Sequence, residues 1–241
     1  MSQSILLMKF LKKLKFFLFF IFFCLIFFFI LFFINQFFLI KKIEIVSDRK
    51  FPLVNKNDLI NKNLIFINPD ETAKKIILEN SVLKKAVVNK VWPATIKITL
   101  YFYEPIAALI VNQGLFILSE DGRILVKIKS GQPFLPAINY YQKLNSNSFQ
   151  TGDRIDYKDI QQTLFFINKL KQINLLPLTI DIKGQDMLVF NLSGDKKIIF
   201  SSAKEKKLQN YQLEFIIKQF KIEGKEFKKI DLRFEKPVIT F

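Results

Sequence analysis

The sequence of 241 residues contains no histidine and a single cysteine, Cys24, which lies inside a long hydrophobic run. Histidine is the commonest general base and a common metal ligand, so its absence excludes hydrolases of the serine–histidine–aspartate type. One cysteine forms neither a disulfide within the chain nor a thiolate zinc site. We therefore expect a chain without catalytic activity, metal or cofactor.

Glycine is also scarce, with seven residues, and no glycine-rich phosphate-binding motif is present. The tight acidic groups are Glu120-Asp121 and Asp153, Asp156 and Asp159. A pair of carboxylates can serve a glycosidase. The alternative, which we favour, is that Asp121 belongs to a turn and that Asp156 and Asp159 cap a helix.

Positive charge dominates, with 37 basic and 21 acidic residues and a net charge of +16. Nearly all of the positive charge comes from lysine, whereas nucleic-acid readers usually depend on arginine, so we expect no nucleic-acid partner. Two interpretations of the lysines remain open. They reflect a codon bias toward A and T, or they give weak contact with anionic lipid or wall polymer.

A long hydrophobic run predicts a membrane anchor. Residues 16–34 are all apolar, and the apolar run resumes at 37–40. About 20 apolar residues in a helix cross a hydrocarbon core of about 30 Å, and the run exceeds the core of a cleaved signal peptide. We expect a tail at 1–15, too short to fold, and an uncleaved transmembrane helix at 16–40. Lysines before the helix favour a cytoplasmic N-terminus and an extracytoplasmic bulk.

The region after the anchor shows the pattern of a small α+β module. A strand is predicted at 43–47, a polar stretch at 48–57, a short helix at 57–60, a helix from Asn68, and a strand at 83–91. The helix start is well defined, because Asn68 can cap it, Pro69 suits the first helical position and Glu71 completes a capping-box spacing.

A second strand of alternating residues at 96–102 follows the turn Trp92-Pro93-Ala94. For Trp92, the only tryptophan, we weigh packing in the core against anchoring of a partner and favour the core. The predicted order of elements in this module is β-α-α-β-β.

The remaining chain alternates strands, turns and helices. A hairpin is predicted at Asp121-Gly122, loops at Pro133, Pro136 and 145–148, and a helix opening at Asp156 and Asp159. Alternating strands follow around 178–182, 188–192 and 198–200. A helix over about 203–220 is expected to bury Leu208, Tyr211, Phe215 and Ile216. The last strand is expected to point Ile230, Leu232 and Phe234 inward and Asp231, Arg233 and Glu235 outward, with Pro237 at a sheet edge or at the start of a strand.

The β-α-α-β-β order directly after one membrane helix resembles a POTRA domain, and several short motifs are similar to the FtsQ/DivIB cell-division proteins. These motifs are Val88 to Ile98 with its Trp-Pro turn, Glu104-Pro105-Ile106-Ala107, Ser119 to Ile124, Leu135-Pro136, and Ile230-Asp231-Leu232-Arg233-Phe234. The resemblance implies an α+β protein with a POTRA-like module at 41–108 and a mixed α/β C-terminal β-sheet domain at 109–241.

The resemblance also implies a function, namely a non-catalytic scaffold of the bacterial cell-division complex at the septum. In that family the terminal strand and the residues after it bind other single-pass division proteins, FtsB/FtsL or DivIC-like, by extending the sheet. The matching residues are Phe234, Glu235, Lys236, Pro237, Val238, Ile239, Thr240 and Phe241. Two alternatives remain open: packing of this strand on the protein's own sheet only, and a POTRA-containing secretion or assembly accessory that handles extended peptides.

Overall fold

The computed structural model of the chain describes residues 3–47, 58–131, 134–184 and 186–241. The fold is mixed α+β, with an apolar N-terminal helix followed by a three-stranded and a nine-stranded sheet in the described residues. This confirms the α+β class and the N-terminal helix. The chain divides into two compact units, 1–101 and 102–241. The division falls before residue 108, since the strand at 105–111 pairs in the larger sheet.

Helix α1 spans Gln3–Phe37. The segment Lys15–Phe37 of this helix, 23 residues long, is long and apolar enough to cross a membrane. No other helix in the described residues is. The helix extends into the segment expected to be an unfolded tail, and it ends before residue 40. The reason for the early end is that Ile40 is fully buried and donates its N–H to the carbonyl of Lys62 at 2.9 Å.

The described residues of the first unit after α1 form a three-stranded sheet with one α-helix. The elements are β1 (Lys42–Ser47), α2 (Pro69–Glu79), β2 (Leu83–Val91) and β3 (Thr95–Phe102). The order in the sheet is β1-β3-β2, with β1 parallel to β3. The Asn68 side chain accepts from the N–H groups of Asp70 and Glu71 and caps α2, which confirms the predicted start of the helix.

The segment between β1 and α2 differs from the prediction. The polar stretch at 48–57 lies outside the described residues. In the rest of the expected short helix, residue 58 has 3-10 conformation and residues 59–60 form a turn. A short 3-10 helix, Leu64–Phe66, follows and is capped by the Asn63 side chain. It was not predicted, because one turn of helix leaves no periodic pattern.

The second unit contains nine strands in one sheet, with β1–β3 belonging to the first unit. The strands are β4 (Pro105–Val111), β5 (Gly114–Ser119), β6 (Ile124–Ile128), β7 (Ala137–Tyr140), β8 (Pro177–Lys183), β9 (Met187–Leu192), β10 (Lys197–Ser201), β11 (Lys229–Asp231) and β12 (Val238–Thr240). The order is β12-β11-β10-β9-β8-β7-β4-β5-β6. The pairs β4/β7, β7/β8 and β10/β11 are parallel and the others antiparallel, so the sheet is mixed.

Two helices, α3 (Lys158–Gln172) and α4 (Lys206–Glu223), contribute to the same hydrophobic core as the sheet. At its centre the rings of Phe166 and Phe200 stack with centroids 3.8 Å apart, and Phe190 packs edge-on to both. All three are fully buried. This layer of helices on a sheet buries the apolar face of each element.

The hairpin predicted at Asp121-Gly122 is confirmed and joins β5 to β6. Gly122 has φ +81°, which favours glycine, and the carbonyl of Asp121 accepts from Arg154 Nε and Gln161 Nε2 at 2.8 and 3.1 Å. The prediction that Asp156 and Asp159 cap α3 is wrong, since Tyr157 occupies the cap position. Asp156 instead pairs with Arg154 at 3.1 Å.

Two other predictions in this unit are modified, and the loop predicted at Pro133 lies outside the described residues. The loop at 145–148 contains a 3-10 helix, Ser146–Ser148. Leu178 is exposed rather than part of the alternating buried set, because the register of β8 on β9 shifts between Pro177 and Thr179.

Candidate functional site

The C-terminal segment of the chain forms one edge of the nine-stranded sheet. Helix α4 is the crossover that places β11 parallel to β10. The segment is anchored by Ile230 and Leu232, both fully buried, and by the Leu232 N–H, which donates to the carbonyl of Ile199 at 2.8 Å. β12 then returns antiparallel to β11, with Ile239 opposite Ile230.

The prediction of a single last strand is therefore wrong. The chain bends over 233–236 and returns as a second short strand. The candidate residues Phe234, Glu235 and Lys236 lie in the bend, Pro237 precedes β12, Val238, Ile239 and Thr240 form it, and Phe241 follows it. Phe234, expected to point inward, is 53% exposed, whereas Asp231, expected outward, is buried. Alternation predicts sides only while a strand continues.

An ion pair holds the start of this bend. The Asp231 carboxylate accepts from the backbone N–H, Nε and Nη2 of Arg233 at 3.2, 2.9 and 2.8 Å. Burial acts to raise the pKa of the Asp231 carboxyl, but the hydrogen bonds and charge of Arg233 outweigh it and hold the pKa below its usual value. The Arg233 guanidinium also lies over the Phe234 ring, 5.5 Å from its centroid.

The strand β12 presents its backbone at the edge of the sheet. Its Thr240 carbonyl accepts from the Lys228 N–H at 2.8 Å, toward β11. Because successive residues of a strand direct their backbone groups to opposite sides, the N–H and carbonyl of Ile239 face away from β11. Within the described residues β12 pairs with β11 alone. Such an edge can pair with an added strand.

The side chains of β12 divide between the core and the surface. Ile239 is partly buried and packs against the core, whereas Val238 and Thr240 are exposed. The ring of Phe241 lies 5.7 Å from that of Phe220 on α4 and is more than half exposed. The edge therefore combines outward backbone groups with exposed apolar side chains.

Helix α4 adds an exposed apolar row beside the bend. Gln212 Nε2 donates to the Glu235 carbonyl at 3.1 Å, which places this part of the helix against the bend. Leu208 and Phe215 are neighbours of Gln212 on the helix surface, at i−4 and i+3. The apolar row consists of Leu208, Tyr211, Phe215 and Ile222, all more than half exposed.

The stripe predicted for the core side of α4 is wrong for three of its four residues. Leu208, Tyr211 and Phe215 are exposed and only Ile216 is buried, and the buried residues are Gln209, Leu213, Ile216, Ile217 and Phe220. The spacing 213-216-217-220 is itself a complete helical stripe and could have been recognised. It is concealed by a buried polar residue, Gln209, whose amide accepts from the Ser201 N–H and donates to the Ser201 carbonyl at 2.8 and 2.9 Å.

Trp92 is not a core residue, which corrects the interpretation favoured from the sequence. Its side chain is 56% exposed, and its ring packs edge-on against Phe38, just after α1, with centroids 5.4 Å apart.

Elsewhere, the second unit has an apolar groove of about 430 Å³ with Ile106, Leu176 and Leu178 in its lining. No group of three or more metal-ligating residues occurs in the described parts of the chain.

The sequence matches no protein-family model and no curated protein.

Proposed function

We propose that the chain is a non-catalytic, single-pass membrane scaffold of the bacterial cell-division complex, of the FtsQ/DivIB type. Helix α1 would anchor it in the cytoplasmic membrane at the septum, with the N-terminus in the cytoplasm. The first unit would be the POTRA-like module. In support, the elements β1, α2, β2 and β3 follow an apolar helix in the described residues, although the 3-10 helix Leu64–Phe66 comes after the position 57–60 where a second helix was expected.

The observation that carries this proposal is the edge position of β12. An extended segment of another single-pass division protein, FtsB/FtsL or DivIC-like, would add as a further strand and bond to the outward backbone groups of Ile239. Phe234, Val238 and Phe241 would contribute apolar contacts, and the apolar row on α4 would extend the surface beside them. Strand addition needs only main-chain complementarity, which suits a protein that assembles others without catalysing a reaction.

The proposal is tested first by position in the cell and by capture of a partner. A fluorescent protein fused to the N-terminus should mark a band at the division plane of dividing cells. A photo-crosslinking amino acid at Thr240, which is exposed on β12, should capture a small single-pass membrane protein. The same amino acid at Leu178, which is also exposed but lies on β8, is the control and should not capture it.

A substitution then tests the site itself. Phe234→Lys places a charge on an exposed residue of the bend, and we expect at least about tenfold weaker partner capture with unchanged folding. Leu178→Lys should leave capture unchanged. An even distribution over the envelope, with normal division after depletion, would contradict the scaffold and favour the secretion-accessory interpretation. Undiminished capture by Phe234→Lys would remove the bend from the site.

A further inference from the structure

The end of the membrane helix is bonded directly into the first unit rather than joined to it by a linker. The Lys41 N–H donates to the Ala94 carbonyl at 2.9 Å, and the Leu64 N–H donates to the Phe38 carbonyl at 2.8 Å. With the bond from Ile40 to Lys62, these contacts hold residues 38–41 between two loops, 61–64 and 92–94. The position of both loops is therefore fixed relative to the last turn of α1.

One side chain reaches back along the helix. Asn63 Nδ2 donates to Oδ1 of Asn35, two residues before the end of α1, at 2.6 Å. On the other side, Trp92 packs against Phe38, which in turn packs against Phe37 with centroids 5.2 Å apart. Both loops thus lie level with the final residues of the helix.

The length of the helix sets the depth of these loops in a bilayer. The 23 residues Lys15–Phe37 span about 34 Å at 1.5 Å per residue, slightly more than a hydrocarbon core of about 30 Å. With α1 spanning the bilayer, Phe37 would lie near the boundary between hydrocarbon and headgroups. Trp92, in contact with the next residue, would then lie at headgroup level, where tryptophan is enriched because one end of its ring is apolar and the other polar.

The exposed side chains at this end of the unit fit such a boundary. Beside the half-exposed Trp92, the 3-10 helix presents Phe66, 83% exposed, to solvent. Lys41 and Lys62 are exposed on the residues that bond the helix end, and Lys90 Nζ is held on the Ile65 carbonyl at 2.9 Å. Aromatic rings beside lysines suit the apolar boundary and the anionic headgroups of one leaflet.

We propose that the turn 92–94 and the 3-10 helix 64–66 form a lipid-binding face that seats the three-stranded module on anionic headgroups of the bilayer that α1 crosses. This inference rests on the membrane anchoring in the proposed function. It also assigns a local role to part of the lysine excess. A module seated in this way keeps one orientation to the membrane.

The single tryptophan makes the proposal directly measurable. The full chain is reconstituted in vesicles of phosphatidylcholine with phosphatidylglycerol, and tryptophan emission is recorded with a nitroxide either on the headgroup or near the end of the acyl chain. We expect blue-shifted emission that is quenched by the headgroup label, weakly quenched by the deep label, and protected from aqueous acrylamide. In vesicles of phosphatidylcholine alone, we expect less quenching by the headgroup label.

Substitutions of exposed residues test the lipid-binding face without changing the membrane helix. Phe66→Ser and the double change Lys41→Glu with Lys62→Glu should reduce quenching by the headgroup label. Leu78→Ser, an equally exposed apolar residue on α2, is the control and should not. Unshifted emission that acrylamide quenches, from protein shown by protease protection to span the bilayer, would overturn this inference alone. Protein that fails to insert would overturn the membrane anchor and this inference with it.

Discussion

At the scale of single residues, the buried carboxylate of Asp231 determines how the C-terminal segment leaves the sheet. Its side chain is almost fully buried between β10 and β12, and its described bonding partners are atoms of Arg233. A buried carboxylate is costly unless it is bonded on both oxygens, as here. The pair thereby stabilises the bend that carries Phe234.

Replacing this carboxylate with its neutral isostere should destabilise the second unit. We expect Asp231→Asn to lower the free energy of unfolding by about 1–3 kcal/mol, because a charge-assisted pair is lost while the amide stays buried. The measurement is urea unfolding at neutral pH. Asp195→Asn is the control, since Asp195 lies exposed in a turn with φ +55°, a conformation that asparagine also adopts.

The same pair gives a pH dependence whose sign follows from the lowered pKa of Asp231. The folded state holds the carboxyl ionised to lower pH than the unfolded state does, so its contribution is complete above the ordinary aspartate pKa of about 4 and is lost as pH falls below that value. The stability difference between the natural protein and Asp231→Asn should therefore shrink between pH 7 and pH 3. An equal difference at both pH values would contradict the assignment.

At the scale of elements, α4 is apolar on two sides and buries only one. The buried side joins the core that fills the space above the sheet, and the exposed side forms the apolar row beside the bend. Both stripes can be recognised from their helical spacing, but the spacing does not say which of them is buried. The packing of β10 and β11 selects the buried one.

Two alanine substitutions distinguish these faces. Leu213→Ala should destabilise the protein by about 2–4 kcal/mol, since the side chain is 1% exposed and its removal leaves a cavity. Phe215→Ala, at 61% exposure, should change stability by less than about 0.5 kcal/mol. Thermal or urea unfolding of both variants provides the measurement. The reverse ranking would show that the stripe expected from the sequence is the buried one.

At the scale of the whole molecule, the chain divides into two compact units, and the apolar helix belongs to the first of them. Four lysines and no acidic residues precede residue 16, which favours a cytoplasmic N-terminus, and long domains cross the membrane largely regardless of their charge. The part of the first unit after α1 and the whole second unit would then lie outside the cytoplasm, where β12 would meet the extracytoplasmic parts of other single-pass proteins.

Reporter fusions to the full chain test this topology. Alkaline phosphatase at the C-terminus should be active, because it folds only outside the cytoplasm, and a conventional green fluorescent protein at the N-terminus should fluoresce. The protein should remain in the membrane fraction at high salt and leave it with detergent. The reverse pattern of reporter activity would contradict the orientation, and release by salt alone would contradict the anchor.

Local chemistry in the sequence determined much of the fold. The apolar run is long enough for the N-terminal helix, Asn68 and Pro69 define the start of α2, and Asp121-Gly122 closes the hairpin of β5 and β6. Each signal depends on neighbouring residues alone, so it survives without knowledge of the rest of the chain. The candidate segment 234–241 came from the resemblance, and its binding role stays a prediction.

Only the tertiary structure decided which features lie at the surface. It placed β12 at the sheet edge, bent the chain after Asp231, exposed the apolar row of α4, and brought Trp92 to Phe38. The edge position of β12, the exposed face of α4 and the contact of Trp92 with Phe38 depend on contacts between residues far apart in the chain. The bend is held by Asp231 and Arg233, only two residues apart. Periodicity specifies that a face is apolar, whereas the neighbours that cover it are fixed by long-range packing.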